Sequence, residues 1–307
     1  MNESTNLRRK VTNKVMTGVV ALAFLITLVP LVSTIYTTLE FGITRLNWDF
    51  LSNTMKGVIG GRPPFGGIYH AIIGTGLVTF GAALIAVPIG ILTAIYLVEY
   101  SPSEDHRLAR CISTLVDVMT GIPSIVAGLF AYAFFAIVFG PGAVFGFSGS
   151  VALSVLMIPT VVRSTEEMLK VVPQDMREAS LALGISKERT ICRIVLRIAL
   201  PGIITGVLLA IARIIGETAP LLITVGSFDS LNANLFSGRM MTLPVYIYGQ
   251  YQEGFATCTP QALVDGCVES IRLERAWAAA LVLIIIVLVL NIIGRVVKAK
   301  LMNKRGK

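Results

Sequence analysis

The sequence predicts an all-α protein threaded several times through a lipid bilayer, and three observations carry that reading. Of its 307 residues, 54% are hydrophobic and only 14% are charged, against roughly 25% charged in a soluble domain. So little charge cannot cover a water-soluble globule of this size, and the same figures exclude a disordered chain. The apolar residues are gathered into uncharged runs long enough to cross a bilayer, which takes roughly 20 residues of helix. Lys and Arg lie mainly in short segments between or beside those runs. The net charge of +8 is therefore a signal of membrane topology, not of nucleic-acid binding.

Taken in order, residues 1–14 are a polar tail and residues 15–39 the first span, between Lys14 and Glu40. Arg8, Arg9 and Lys10 precede this run as they would in a secretory leader. Its apolar length exceeds the roughly 7–15 residues of a leader core, so an uncleaved anchor is expected. A loop at 40–69 leads to a core at 70–228. The second span runs from about His70 to Val98. Residues 118–162 contain no charge and are too long for one helix, and Pro141-Gly142 divides them into two helices joined by a tight turn. A polar segment at 170–197 separates the fourth span from the fifth, 198–228, which only Arg213 and Glu217 interrupt. A second long loop fills 229–275, then comes a last span at 276–297 and a basic tail at 298–307. Six transmembrane helices result.

Nineteen of the 26 Lys and Arg residues fall in the N-terminus, the 99–110 loop, the 163–197 segment and the C-terminal tail. Six lie in the loops of the other side, and Arg213 sits within a span. Both termini are accordingly expected in the cytoplasm. Cys111 and Cys192 then fall on the reducing side, and Cys258 and Cys267 on the other. A disulfide between Cys258 and Cys267 is permitted there, with two free thiols as the alternative. No zinc pattern exists, since His70 and His106 are far from any Cys pair.

Within the spans, Ala82, Ala86, Gly90 and Ala94 recur every four residues, a small-residue stripe that lets another helix approach closely. Packing inside this chain is the favoured use, ahead of a subunit contact. Pro88 and Pro123, near Gly90 and Gly121, should loosen their helices, which membranes tolerate only beside protein or a water-lined cavity. Arg213 and Glu217 are the sharpest feature. A buried Arg is costly in a bilayer and normally faces an interior or a pathway. Its forked donors suit an oxyanion, and Glu217, expected at i+4 on the same helix face, would hold or moderate that fork. The alternative is an ion pair that only locks helices together. Arg163, just before Glu166 and Glu167, is read first as an Arg snorkelling from a helix end, with a second anion contact as the alternative.

The polar segment reads VVPQDMREASLALGISKERTICRIVLRIALPG. A short helix is expected after Pro173, with Glu178 in its first turn where negative charge suits the helix dipole. Gly184 should end it. Such a helix either docks a soluble partner or lies on the headgroups. Here Glu178-Ala179-Ser180, then Gly184, Ile194 and Leu196 resemble the EAA motif of ABC importer permeases. Ser180 replaces the usual third small Ala, and Arg197 stands where that family often has Pro, with Pro201 following instead. IPTVVRSTEEMLKVVP (158–173) and ARIIGETAPLL (212–222) are similar to the phosphate-specific (Pst) permeases, with the Ala-Pro-Leu-Leu ending of the PstA type.

The resemblance implies a type I ABC importer permease fold in a bacterial inner membrane. It implies that Arg163, Arg213 and Glu217 concern the phosphate path, and that Glu178, Ala179, Ser180 and Gly184 contact an ATPase. The implied partners are a PstC-type permease in a heterodimer, two copies of a PstB-type ATPase and a PstS-type phosphate-binding protein. No G-x-x-x-x-G-K-[ST] loop occurs, so ATP and its Mg are expected on the separate ATPase, and the chain itself is not expected to be an enzyme. The weighed rivals are an ABC permease for another oxyanion, such as molybdate or sulfate, and an ion-coupled secondary carrier. No internal repeat of the kind carriers show is found.

Overall fold

The computed structural model describes residues 3–101 and 107–303. The centre of the 99–110 loop, His106 included, and the tail cations Lys304, Arg305 and Lys307 lie outside the described residues, as does the side chain of Arg8.

Helix α1, Glu3–Ile43, runs straight through the expected boundary at Lys14. A charge changes the solvent a helix prefers, not its backbone hydrogen bonding, so the apolar run marks only its membrane portion. The Asn47 side chain accepts from the Phe50 amide and starts a one-turn helix α2, Trp48–Ser52. Helix α3, Tyr69–Ile95, continues through Pro88 and ends in a π-helical turn, Tyr96–Tyr100. Pro88 therefore does not break its helix.

The third expected span is different. Helix α4, Arg107–Thr120, and α5, Ser124–Phe139, meet at a bend of 109°. Pro123 has no amide to donate and disfavours helical geometry at Ile122, so a charge-free run that reads as one helix is two. Gly140 and Gly142, at φ of +93° and +87°, make the turn into α6, Gly146–Lys170. The chain continues as α7, Gln174–Ala182, and α8, Lys187–Thr190, which flows through a π-helical turn, Ile191–Val195, into α9, Leu196–Ile214.

The fifth span thus begins near Lys187 and stops at Ile214 rather than filling 198–228. Gly216 is a poor helix former and Pro220 cannot extend the hydrogen-bond ladder. A separate short helix, α10, Ala219–Thr224, follows. The long loop then holds α11, Leu243–Glu253, and α12, Pro260–Val264, before α13, Ile271–Asn303. Among the described residues, five helices are long and apolar enough to span a membrane, and the bent α4–α5 pair supplies a sixth crossing if taken as one span.

Helix α6 is the hub, flanked by α3 and α9. Ala82, Ala86 and Ala94 are fully buried, and a Cβ on Gly90 would come within 2.7 Å of Val161 Cγ1 on α6. The small-residue stripe therefore serves packing within the chain. Lipid is as apolar as Leu, so close backbone approach, not escape from water, is what holds such a pair. The 229–275 segment folds back onto this core. Leu243 and Tyr246 are buried, the Leu243 amide donates to Thr75 Oγ1 at 2.8 Å, and any side chain at Gly74 would collide with the Met241 carbonyl. Cys258 and Cys267 are joined in a disulfide with Cα atoms 6.0 Å apart. Helix α1 leans chiefly on α13, where Phe41 meets Trp277.

Candidate functional site

The bend between α4 and α5 and the gap between α9 and α10 face each other. The first contains Gly121 and Pro123, and the second contains Gly216, with Pro220 in the first turn of α10 just beyond it. Backbone freed in this way at membrane depth is found beside protein or a water-lined cavity. Between the two breaks lies a cavity of about 200 Å³, lined by Thr120 and Ser124, by Pro159 and Thr160 of α6, and by Arg213 and Glu217. Gly128 explains the closeness of the two halves, since a Cβ there would come within 2.6 Å of Pro220 Cα.

Arg213 and Glu217 do share this cavity, but not as neighbours on one helix face. Hydrogen bonding of α9 ends around Ile215, and the Glu217 amide donates to Ile214 in a tighter turn. Glu217 therefore lies beyond the helix end. Among the described residues no ion pair joins Arg213 to Glu217, so the helix-locking pair is not made in this state. Arg213 is exposed and Glu217 half-buried. What the arrangement offers is an uncommitted guanidinium fork on a polar wall, the chemistry that an oxyanion needs.

Arg163 stands one turn further along α6 from Thr160 and is in the opposite condition. Its Nη1 donates to Glu166 Oε2 at 2.8 Å, and its Nη2 pairs with Asp117 and donates to Ser113 Oγ at 3.2 Å. The arginine ties α6 to α4. Asp117 and Ser113 are 46 and 50 residues away in sequence, and sequence reasoning missed both. The one available signal was that Asp117 is the last charge before the uncharged run.

The polar loop forms the expected short helix, α7, with a shift in detail. Asp175, not Glu178, occupies the first turn, and Glu178 lies in mid-helix. Glu178 and Ala179 are exposed, whereas Ser180 is buried, its hydroxyl 2.8 Å from Thr190 Oγ1. Gly184 closes the helix at φ +76°, with its own amide bonded to Leu181 and the Ile185 amide to Ser180. That pair of bonds is a Schellman motif, which needs a left-handed residue after the cap. Beside it, Met176, Leu181 and Leu183 expose 48%, 49% and 80% of their surface. Large apolar side chains at the tip of a polar loop suit a protein partner.

Among the described residues no group of three His, Cys, Asp or Glu side chains is placed to hold a metal ion.

Comparison with known proteins agrees with this geometry. Residues 86–303 match the family described as binding-protein-dependent transport system inner membrane component. The chain is 40% identical over 295 residues to phosphate transport system permease protein PstA 1 of Mycobacterium tuberculosis, covering 95% of this chain and 90% of that protein. It is 38% identical to the PstA protein of Yersinia pestis, over 86% of this chain and 87% of the relative. Among solved structures, an inward-facing MetNI methionine ABC transporter superposes with a TM-score of 0.53 at 21% identity, covering 76% of this chain and 93% of that one. The structural likeness establishes the type I permease fold.

Proposed function

The chain belongs to the binding-protein-dependent transport-system inner-membrane components, and from that premise we propose that it is the permease subunit of an ATP-driven importer of inorganic phosphate. The observation that carries the reading is the uncommitted fork of Arg213 on a polar cavity framed by two helix breaks. A phosphate entering that cavity exchanges part of its hydration for forked N–H donors. Glu217 on the same wall weakens the grip by like charge, so that the anion leaves as well as enters. The high identity to proteins named as phosphate permeases supports phosphate over sulfate or molybdate, which the same fork would also fit.

A PstC-type permease completes the path, a PstS-type protein delivers phosphate, and a pair of PstB-type ATPases hydrolyses ATP with Mg. The exposed face of α7, with Glu178 and Ala179, seats on the ATPase. Gly184 sets the turn behind it. Both termini and α7 face the cytoplasm, in accord with the excess of Lys and Arg there. Closure of the ATPase pair moves α7, and the spans attached to it open the cavity to alternate sides.

Uptake of radiolabelled phosphate at low micromolar concentration, in cells lacking the gene and then carrying it again, tests the proposal. Loss and rescue that excess sulfate and molybdate leave unchanged are expected. Inhibition by sulfate or molybdate instead moves the substrate to that oxyanion. Unchanged uptake, in cells with no other high-affinity system, removes phosphate as the cargo.

A further inference from the structure

Helix α7 is joined to the ends of α3 and α6 through one arginine. Arg177, on the inner side of α7, donates from Nη2 and Nε to Glu99 Oε1 at 2.8 and 3.1 Å. Its remaining donors cap two carbonyls at the end of α6, Nη1 to Val172 at 2.6 Å and Nη2 to Leu169 at 2.9 Å. Both side chains are withdrawn from water, Arg177 being 13% and Glu99 6% exposed. A single guanidinium therefore binds the loop helix to the ends of α3 and α6 at once. A buried, forked pair of this kind holds orientation as well as distance.

The surroundings fit a moving joint rather than a fixed brace. Glu99 lies in the π-helical turn Tyr96–Tyr100 that ends α3. The second attachment of α7, Ser180 to Thr190, sits just before the other π-helical turn, Ile191–Val195, at the root of α9. Lys187 Nζ, at the start of α8, stands 5.0 Å over the Tyr100 ring and clasps the same end of α3. A π-helical turn inserts a residue and disturbs the regular ladder, and such turns are frequent at functional sites. Beyond the joint, α3 is locked along its length to α6 by the Ala82–Gly90 stripe, so a pull at Glu99 moves the cavity wall that α6 provides.

We infer that the Glu99–Arg177 pair is the linkage by which displacement of α7 is passed to α3 and α6, and that the buried Glu99 is a positioning residue for transport. The inference rests on the reading of α7 as the ATPase-docking helix. Sequence alone conceals it, because the partners are 78 residues apart.

The test uses the complete transporter in vesicles with Glu99→Gln, Arg177→Gln and the double variant. Glu99→Gln keeps the shape and loses the charge. It is expected to assemble and to hydrolyse ATP, while phosphate moved per ATP falls about tenfold, the scale of a coupling energy between sites. The double variant should be no worse than the poorer single one, because both changes remove one linkage. Normal transport per ATP in Glu99→Gln, multiplied losses in the double variant, or failure of Glu99→Gln to assemble would each overturn the inference, the last by showing a brace. A second readout needs no cargo. With Cys111 and Cys192 replaced by Ser, spin labels at Leu92→Cys on α3 and Val296→Cys on α13 should change separation when ATP is added, and Glu99→Gln should abolish the change. No change in the otherwise unaltered transporter also overturns it. Absent phosphate uptake with an intact ATP-driven distance change counts instead against phosphate as cargo.

Discussion

Arg163 and Arg213 stand on neighbouring helices, α6 and α9, and in contrasting states. Arg163 is held by Glu166 and Asp117 and bonded to Ser113, so α4 and α6 are tied through it. Arg213, on the wall of the cavity, has no carboxylate bound to it among the described residues. Desolvating a charge is expensive, and the usual solution is a counter-ion within the chain. Arg163 follows that solution. Arg213 keeps its cost low by standing exposed on a polar cavity, and its fork stays available. The difference teaches that an arginine's neighbours in space, not its place in the sequence, separate a fork that joins helices from one left without a carboxylate.

The largest effect that would break this contrast is expected at Arg213. Arg213→Ala should lower phosphate uptake by roughly ten- to a hundredfold, the loss of a charge-assisted contact of about 1.5–3 kcal/mol, while the complex still assembles. Failure to assemble, seen by co-purification with the ATPase, would make Arg213 structural like its neighbour. Arg163→Ala should show the reverse balance. Glu166, only 4% exposed, would lose its closest cation, and thermal unfolding of the purified complex should report destabilisation of about 2 kcal/mol. An Arg163→Ala complex as stable as the parent would erase the distinction.

Gly184→Val separates the path from its drive. The left-handed φ of +76° costs a side chain about 1–2 kcal/mol, so α7 should lose its terminal turn and ATP should be hydrolysed with little uptake. Unimpaired uptake would count against α7 as the docking element. Asp117→Asn, at a carboxylate 64% exposed, should alter stability by no more than about 1 kcal/mol, less than the loss of Arg163 itself. The smallest effect concerns the far loop. An impermeant thiol reagent should label Cys258 and Cys267 only after reduction, with uptake little changed. Labelling without reduction would mean that the two thiols are free in the cell.

Much of this was legible beforehand. The five or six candidate crossings show in composition because about 20 uncharged residues in a row have few other uses. The helix at 174–182 and its glycine stop show in local pattern, since Gly184 supplies a backbone shape that other residues resist. Arg213 announced itself by being an arginine in a span. Boundaries were harder. The 118–140 run reads as one helix until the packing of Gly128 against Pro220 is seen to favour a bend at Pro123. Glu217 reads as a helical neighbour of Arg213 until α9 is seen to end before it. The long loop, apparently featureless, sends Leu243 and Tyr246 into the core.

By itself, then, the sequence determined the class, the apolar runs able to cross a membrane, the gathering of Lys and Arg between those runs, and the presence of an arginine inside one of them. All of these are properties of single residues or of runs a few turns long. The tertiary structure alone decided which arginine is committed and which is free, that Ser180 turns inward to Thr190, and that Glu99 holds Arg177. Those facts depend on side chains brought together from dozens of residues apart. A guanidinium carries the same charge wherever it stands, and only its neighbours in space settle whether that charge is already satisfied.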